Sequence, residues 1–418
     1  MMKIKEVEFF YVDVPLKEIP QRNMERQLHG WRIFQICRIE LDNGVEGFGE
    51  TLPTYTWSRV QENVTEKLKG RSPAEFLWDD SLGAGVQMAL FDVTGKAMGV
   101  PAYQLMGAKH RDFCPISWWA IDMPPEDYAA QAREAVELGY TSMKQKPRPW
   151  FDVYEQVKQT AASSNENFKI DLDFNGHLVN SANAVSVIRK LEKCPNVAFL
   201  ESPIPQQDVA GNQRIRSQTR CAIAMHFGNP PFPTAVSEQV CDGFVIGGGA
   251  YTTLHQFACA ARFNLPGWLQ LVGTGITTTW GLHLGCVATH AQWPMITCVN
   301  MYQHQLISEQ IEIQGGFAKV PDSPGLGIKL ADDFHQFKVD SPDKPNVRAH
   351  YALVRASGDK RWFQSEMSHY GYWTESERGN FPGVFEHGVN LERWDDDGSK
   401  EWKDMEERLK NGPVSQRA

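Results

Sequence analysis

No run of apolar residues in this 418-residue chain is long enough to cross a bilayer as a helix. Positive charge is not in excess either: 42 lysines and arginines face 51 aspartates and glutamates, a formal net charge of −9. That balance argues against nucleic acid or an anionic membrane as partner. The eight cysteines (Cys37, Cys114, Cys194, Cys221, Cys241, Cys259, Cys286 and Cys298) contain no CxxC pair, so the common zinc and dithiol motifs are absent. Scattered thiols of this kind are expected to be buried and reduced in a cytoplasmic protein. The N-terminus, Met1-Met2-Lys3-Ile4-Lys5-Glu6-Val7, has no long apolar core and no cleavage site, and reads as a first strand rather than a signal peptide. A Gly-rich phosphate turn is also missing after Ser117-Trp118-Trp119-Ala120-Ile121-Asp122, where an open dinucleotide-binding sheet would carry one. Gly247-Gly248-Gly249 comes much later and is read as tight packing of a strand-to-helix turn.

What is present is ordinary globular material, with 42% hydrophobic and 22% charged residues. Residues 3–50 alternate in the manner of strands, with a turn at Asp42-Asn43-Gly44, and predict a three-stranded antiparallel meander. Between the first two strands, residues 18–31 lack periodicity and read as a surface loop or a flap over the site. Residues 86–97 have apolar spacing of i, i+3 and i+4 and predict a helix. From residue 112 onward a strand–helix rhythm sets in. Strands are expected near 114–119, 142–146, 169–174, 197–201, 221–226, 242–247, 268–273 and 296–301. Helices are expected near 125–138, 151–163, 181–193, 206–217, 232–239, 250–263 and 279–291. Eight strands with seven helices between them point to a parallel barrel rather than an open sheet. Asp395-Asp396-Asp397-Gly398 lacks the ligand spacing of a calcium loop and reads as a turn before a terminal helix at 400–410.

In a barrel, residues at the strand C-terminal ends converge on one mouth. Lys144, Lys146, Asp173, Asn175, Glu201 and His226 all fall at such ends. Two carboxylates and an imidazole suit a divalent cation, and two lysines beside them suit proton chemistry. Lysines two residues apart on a strand share a face, and their repulsion lowers at least one pKa.

Gly47-Phe48-Gly49-Glu50, Ala89-Leu90-Phe91-Asp92-Val93-Thr94-Gly95-Lys96, Lys144-x-Lys146, Asp173-x-Asn175-Gly176, Glu201-Ser202-Pro203 and Pro324-Gly325-Leu326-Gly327 occur in this order. In that ordered set the chain resembles the mandelate racemase and muconate lactonizing enzyme branch of the enolase superfamily, over roughly residues 3–330. The resemblance implies an α/β fold: a modified TIM barrel, (β/α)7β, with an α+β capping domain formed from both termini. The corresponding division is 1–111 for the N-terminal cap, 112–301 for the barrel with its catalytic mouth, and 302–418 for the rest of the cap plus an extension. It also implies Mg²⁺ held by Asp173 and Glu201, Lys146 as the base that removes a proton α to a carboxylate, Lys144 as its partner, and Asn175 as an orienting residue. The substrate is expected to be a small carboxylate, and the assembly a homo-oligomer.

The sequence departs from that pattern in two places. The third metal ligand, usually a carboxylate, is matched by His226, which widens the choice to Mn²⁺ or another divalent cation; the alternative places His226 against substrate, with water completing the shell. On the opposite wall Asp242 aligns with the aspartate of a His–Asp pair that has no histidine, so Tyr55, His177 or a residue of 18–31 is left to act on the second face. One clear base favours dehydration of an acid sugar through an enediolate. A racemase, epimerase or cycloisomerase is the alternative, and a non-catalytic binding protein on the same scaffold a third. Arg148 and Trp150 are placed to bind a distal carboxylate or sugar face. The aromatics Trp362, Tyr370, Tyr372 and Trp373 of the extension are expected to bury either a subunit interface or a private core.

Overall fold

A computed structural model describes residues 2–57, 59–343, 348–363, 375, 378–381 and 384–418. Strands β1 (Ile4–Asp13), β2 (Ile33–Leu41) and β3 (Glu46–Thr51) form the expected meander, and Lys338–Val339 returns to pair with β1. The cap therefore draws on both sides of the barrel segment. Residues 18–31 are not a loop: they contain helix α1 (Glu18–Met24) and a short 3-10 turn, His29–Arg32. Their polar pattern hid the helix because polar bonds bury it. Asn23 donates to Asp127 at 2.8 Å, and Arg26 and Gln27 both donate to Asp122 at 2.5 Å.

Helix α2 (Ala84–Met98) is buried along almost its whole length between meander and barrel. The meander reaches it through Gly49, where a Cβ would lie 2.1 Å from the Gly85 carbonyl oxygen. Asp92 of α2 accepts the amides of Phe48 at 2.9 Å and Leu326 at 2.8 Å. Three of the recurring motifs thus meet in one joint that fastens the cap to the returning chain.

Seven parallel strands curl side by side: β4 (Trp118–Trp119), β5 (Ser142–Gln145), β6 (Lys169–Asp173), β7 (Val197–Glu201), β8 (Ala222–His226), β9 (Gly243–Ile246) and β10 (Gly267–Leu269). Helices α3 (Pro125–Glu137), α4 (Val153–Ala162), α5 (Ser181–Leu191), α6 (Val209–Arg216), α7 (Phe232–Ser237), α8 (Ala250–Ala261) and α9 (Gly275–Val287) alternate with them. This is a modified TIM barrel with a capping domain. The eighth strand, expected at 296–301, is reduced to isolated bridges, Gln270 to Ile296 and Ile116 to Met295; Cys298, at φ +62°, turns the chain before it can extend. Helix α9 starts four residues earlier than its pattern indicates. Thr274 is its N-cap, and Glu50 of β3 accepts the amides of Thr274 at 2.7 Å and Thr277 at 2.8 Å. A cap carboxylate thus fills the electropositive end of a barrel helix.

His283, buried within α9, is held neutral by geometry. Its Nδ1 accepts from the Tyr103 amide at 3.3 Å, while Nε2 lies 3.1 Å from the Leu326 carbonyl oxygen. A second ring proton would face the Tyr103 N–H. Burial brings its pKa down to about 4. Between that value and 6.5 the unfolded chain binds a proton that the fold refuses, so stability falls as pH drops through this window. The loss is on the order of 3 kcal/mol across it. Urea unfolding at pH 7 and pH 5 checks this: His283→Asn is expected to remove about 2 kcal/mol of the acid-dependent loss.

The extension is a second sheet, unforeseen in the sequence apart from its helix. Strands β11 (Ala349–Val354), β12 (Lys360–Phe363), β13 (Asn390–Asp395) and β14 (Val414–Gln416) pair antiparallel in the order β13-β11-β12-β14. Helix α10 (Lys400–Leu409) packs Met405 and Leu409 against Ala352 and Trp362, so Trp362 belongs to a private core. Ser399 caps α10 by accepting the Trp402 amide at 3.0 Å, in keeping with the turn read there. Tyr370, Tyr372 and Trp373 lie outside the described residues. All eight cysteines are unpaired, and six of them are buried. Among the described residues no helix is long and apolar enough to cross a membrane.

Candidate active site at the barrel mouth

Five of the parallel strands deliver side chains to one cavity of about 400 Å³. Trp119 ends β4, Lys144 comes from β5 and Lys146 from just beyond it. Asp173 ends β6, Glu201 ends β7 and His226 ends β8. The roof is the cap: His29 and Trp31 from the turn after α1, and Tyr55 from the loop after β3. Trp31 stacks on Trp119 of β4 at 5.5 Å and meets Tyr55 at 4.8 Å, which ties roof to wall.

The two lysines have different surroundings. Lys144 is 1% exposed. Its Nζ pairs with Glu201, lies 3.3 Å from Asp173 and donates to Gln270 at 2.9 Å. Burial works against this ammonium, but Glu201 and Asp173 outweigh it and hold its pKa above the ordinary lysine value. Lys146 pairs with Asp173 and donates to Asn175 Oδ1 at 3.3 Å. There burial, helped by the neighbouring Lys144 and Arg148, overcomes Asp173 and lowers the pKa. The expectation that one lysine of the pair is depressed therefore falls on Lys146. Asp173 is driven well below the usual carboxylate range: burial opposes this, but Lys146 and Lys144 prevail.

Asn175 and Ser202 follow the two carboxylates, and both have φ of +46°, in the left-handed region. Such strain persists only where surroundings impose it. The Gly176 amide bonds to the Ser202 carbonyl at 2.7 Å and the Phe174 amide to that of Glu201 at 3.0 Å, so the two turns brace each other.

Asp173 and Glu201 meet at a shared ammonium, which places two carboxylates around one positive centre. Among the described residues no three His, Cys, Asp or Glu side chains form a ready metal cage. The donor set fits a hard divalent cation that keeps water or substrate oxygens in its open positions, as Mg²⁺ usually does. His226 Nε2 lies 3.3 Å from Glu201 Oε1 and is 44% exposed, at the edge of this centre.

Three sequence assignments are relocated. Asp242 precedes β9 at the opposite end of the barrel, where it accepts from Arg216 at 2.8 Å and from the Ile223 amide at 2.9 Å. It has no access to the mouth; its alignment was set by strand position alone. Arg148 is buried, not a loop residue reaching for substrate. It donates to the Asp173 carbonyl at 3.0 Å and to Asn175 Oδ1 at 2.6 Å, and so positions the turn between them. Trp150 is likewise buried and donates to Asp122 at 2.8 Å. His177 lies beside the cavity, edge-on to Trp150 at 5.7 Å. It lines an adjoining cleft of about 800 Å³ that shares Asn175 and His226 with the cavity and carries the amides of Gln206, Gln207 and Asn229.

Two residues of the site went unread. Gln270 was missed because β10 stops at Leu269, short of the expected 273, so the mouth residue is the one after Leu269. Asp171 lies two residues before Asp173 on the same face of β6, outside the cavity lining; burial first, then Glu201, raises its pKa well above the ordinary aspartate value. Period-two spacing was the available signal.

Residues 127–334 match the enolase C-terminal domain-like family. The chain is 24% identical over 334 residues to an N-succinyl-L-Arg/Lys racemase from Bacillus cereus, covering 71% of this chain and 88% of that one. It is 24% identical over 337 residues to an arabinonate dehydratase from Saccharolobus solfataricus, covering 72% and 90%. A solved mandelate racemase/muconate lactonizing family protein from Azoarcus sp. EbN1 superposes with a TM-score of 0.66 at 23% identity, over 82% of this chain and 98% of that one.

Proposed function

We propose that the chain, whose residues 127–334 match the enolase C-terminal domain-like family, is an enzyme of the mandelate racemase/muconate lactonizing type that removes the proton α to the carboxylate of an acid sugar and expels the β-hydroxyl as water. The observation that carries this reading is Lys146: a partly buried amine with a lowered pKa, in the cavity, beside Asp173 and Asn175. Its free amine takes the α-proton. Lys144, held cationic, offsets the negative charge that develops on the substrate carboxylate. Asp173 and Glu201, with His226 at their edge, would hold Mg²⁺ or Mn²⁺, which supplies further positive charge there. Asn175, fixed by Arg148, orients the substrate.

Dehydration is favoured over epimerisation by the far wall. β9 and β10 bring Gly247 and Gln270 toward the mouth, and neither exchanges protons. The departing hydroxyl takes its proton from the roof, where His29 and Tyr55 are the titratable cap residues among the described lining. The neighbouring cleft supports the substrate class: its neutral amides match the hydroxyls of a sugar chain better than a second carboxylate.

The second reading, epimerisation or racemisation, is favoured by the Bacillus cereus relative and by His29, an imidazole that could act from the cap side. An NMR screen of acid sugars and N-acyl amino acids in D₂O with Mg²⁺ or Mn²⁺ separates the outcomes. A 2-keto-3-deoxy product supports dehydration, and deuterium entering with inversion supports epimerisation. No exchange in any of these acids, with metal bound, would leave a binding protein.

A further inference from the structure

The extension lies beyond the matched segment, yet it touches the mouth. Phe385 packs edge-on against Phe174, with ring centroids 5.9 Å apart, and Phe174 is the residue between Asp173 and Asn175. Phe381 packs on Trp150 at 5.0 Å, and Phe363, Val389 and Leu353 complete that cluster. Trp150 in turn donates to Asp122, the acceptor that also holds Arg26 and Gln27 of the cap. On the cap side, Arg393 of β13 pairs with Glu25 at 2.8 Å. At the loop after β5, Asp152 donates its amide to the Val389 carbonyl at 3.1 Å and accepts the Gly388 amide at 2.8 Å.

We infer that the C-terminal sheet is a positioning element of the active site, with Phe385 as the residue that holds the Asp173-Phe174-Asn175 turn in place. The geometry is directional. One face of the sheet, together with residues 384–389 that lead into β13, grips three parts of the mouth: the β6 turn, the β5 loop and the cap segment over them. The other face is closed by α10, and among the described residues its core holds none of those mouth segments. Removing the Phe385 ring would leave a void under Phe174, whose amide links the Asp173 turn to Glu201. The inference rests on the proposed reading only in calling this mouth the active site.

Hydrogen exchange on the full-length protein tests it. The amides of Phe174, Gly176 and Leu178 bond to carbonyls of Glu201, Ser202 and Pro203. Phe385→Ala is expected to speed exchange over residues 174–179 about tenfold, leaving residues 222–226 unchanged, with Phe385→Leu restoring most of the protection. Met405→Ala, which loosens the far face, should lower the melting temperature without altering exchange over 174–179. The Mn²⁺ dissociation constant should rise about tenfold in Phe385→Ala and not in Met405→Ala. Unchanged exchange over 174–179 in Phe385→Ala, or an equal change in Met405→Ala, overturns the inference. A wild-type protein that binds no Mn²⁺ would count against the proposed function, while the exchange result would still decide the positioning role.

Discussion

Lys146→Ala is expected to slow α-proton exchange by about three orders of magnitude while Mn²⁺ still binds. Two lysines reach the cavity, and only one can act as the base. Lys144 is enclosed by Glu201, Asp173 and Gln270, and the indole of Trp268 lies 5.6 Å from its ammonium. Its raised pKa keeps the proton on, so it can attract charge but not accept a proton. Lys146 has one close carboxylate partner, and burial lowers its pKa, so it gives up its proton more readily than Lys144. Removing it deletes a positive charge beside Asp173, so cation affinity should hold or tighten. Exchange retained in Lys146→Ala at the wild-type rate would show that the base lies elsewhere. Loss of Mn²⁺ binding along with activity would mean that the variant disturbed the carboxylates.

Glu201→Ala is expected to destabilise the metal-free protein by about 3–5 kcal/mol, the cost of a buried charge that loses its partner. Lys144 is 1% exposed and cannot reach water. Without Glu201 it must share Asp173 with Lys146, two ammoniums on one carboxylate. The same substitution removes a proposed ligand, so Mn²⁺ affinity should collapse as well. The two effects separate in the double variant Lys144→Met with Glu201→Leu, which should recover most of the stability and none of the metal binding. Urea denaturation reads the first, and Mn²⁺ titration the second. A Glu201→Ala protein as stable as wild type would mean that Lys144 sheds its proton on folding.

Much of this site was legible because it lies at strand ends. Short apolar runs that stop at Lys144, Asp173, Glu201 and His226 encode both the parallel strands and the residues at their tips. Legibility failed where burial is achieved by polar bonds. Residues 18–31 look like solvent-facing chain, but Asp122 and Asp127 satisfy their side chains and draw them into a helix. The far wall failed for a different reason. The end of β10 falls four residues before the expected 273, which hid Gln270, and Asp242, at the start of its expected strand, was aligned with a mouth residue although it lies at the other end. The terminal sheet was opaque because its short strands mix charge and aromatics on both faces, as in Asn390–Asp395. The glycine and aspartate motifs that carried the family resemblance proved to be joints rather than chemistry, with Gly49 and Asp92 the clearest cases.

The pairing of Glu25 with Arg393 spans 368 residues. Roof and brace are made near opposite ends of the chain, and the barrel lies between them. During synthesis the strands that carry Lys146, Asp173 and Glu201 leave the ribosome long before β13 exists to lock the cap above them. A growing chain therefore holds its reactive groups for much of translation without the enclosure that makes them effective. The pairing of roof and brace is complete only once Arg393 has been made, and a prefix that stops before it lacks that lock.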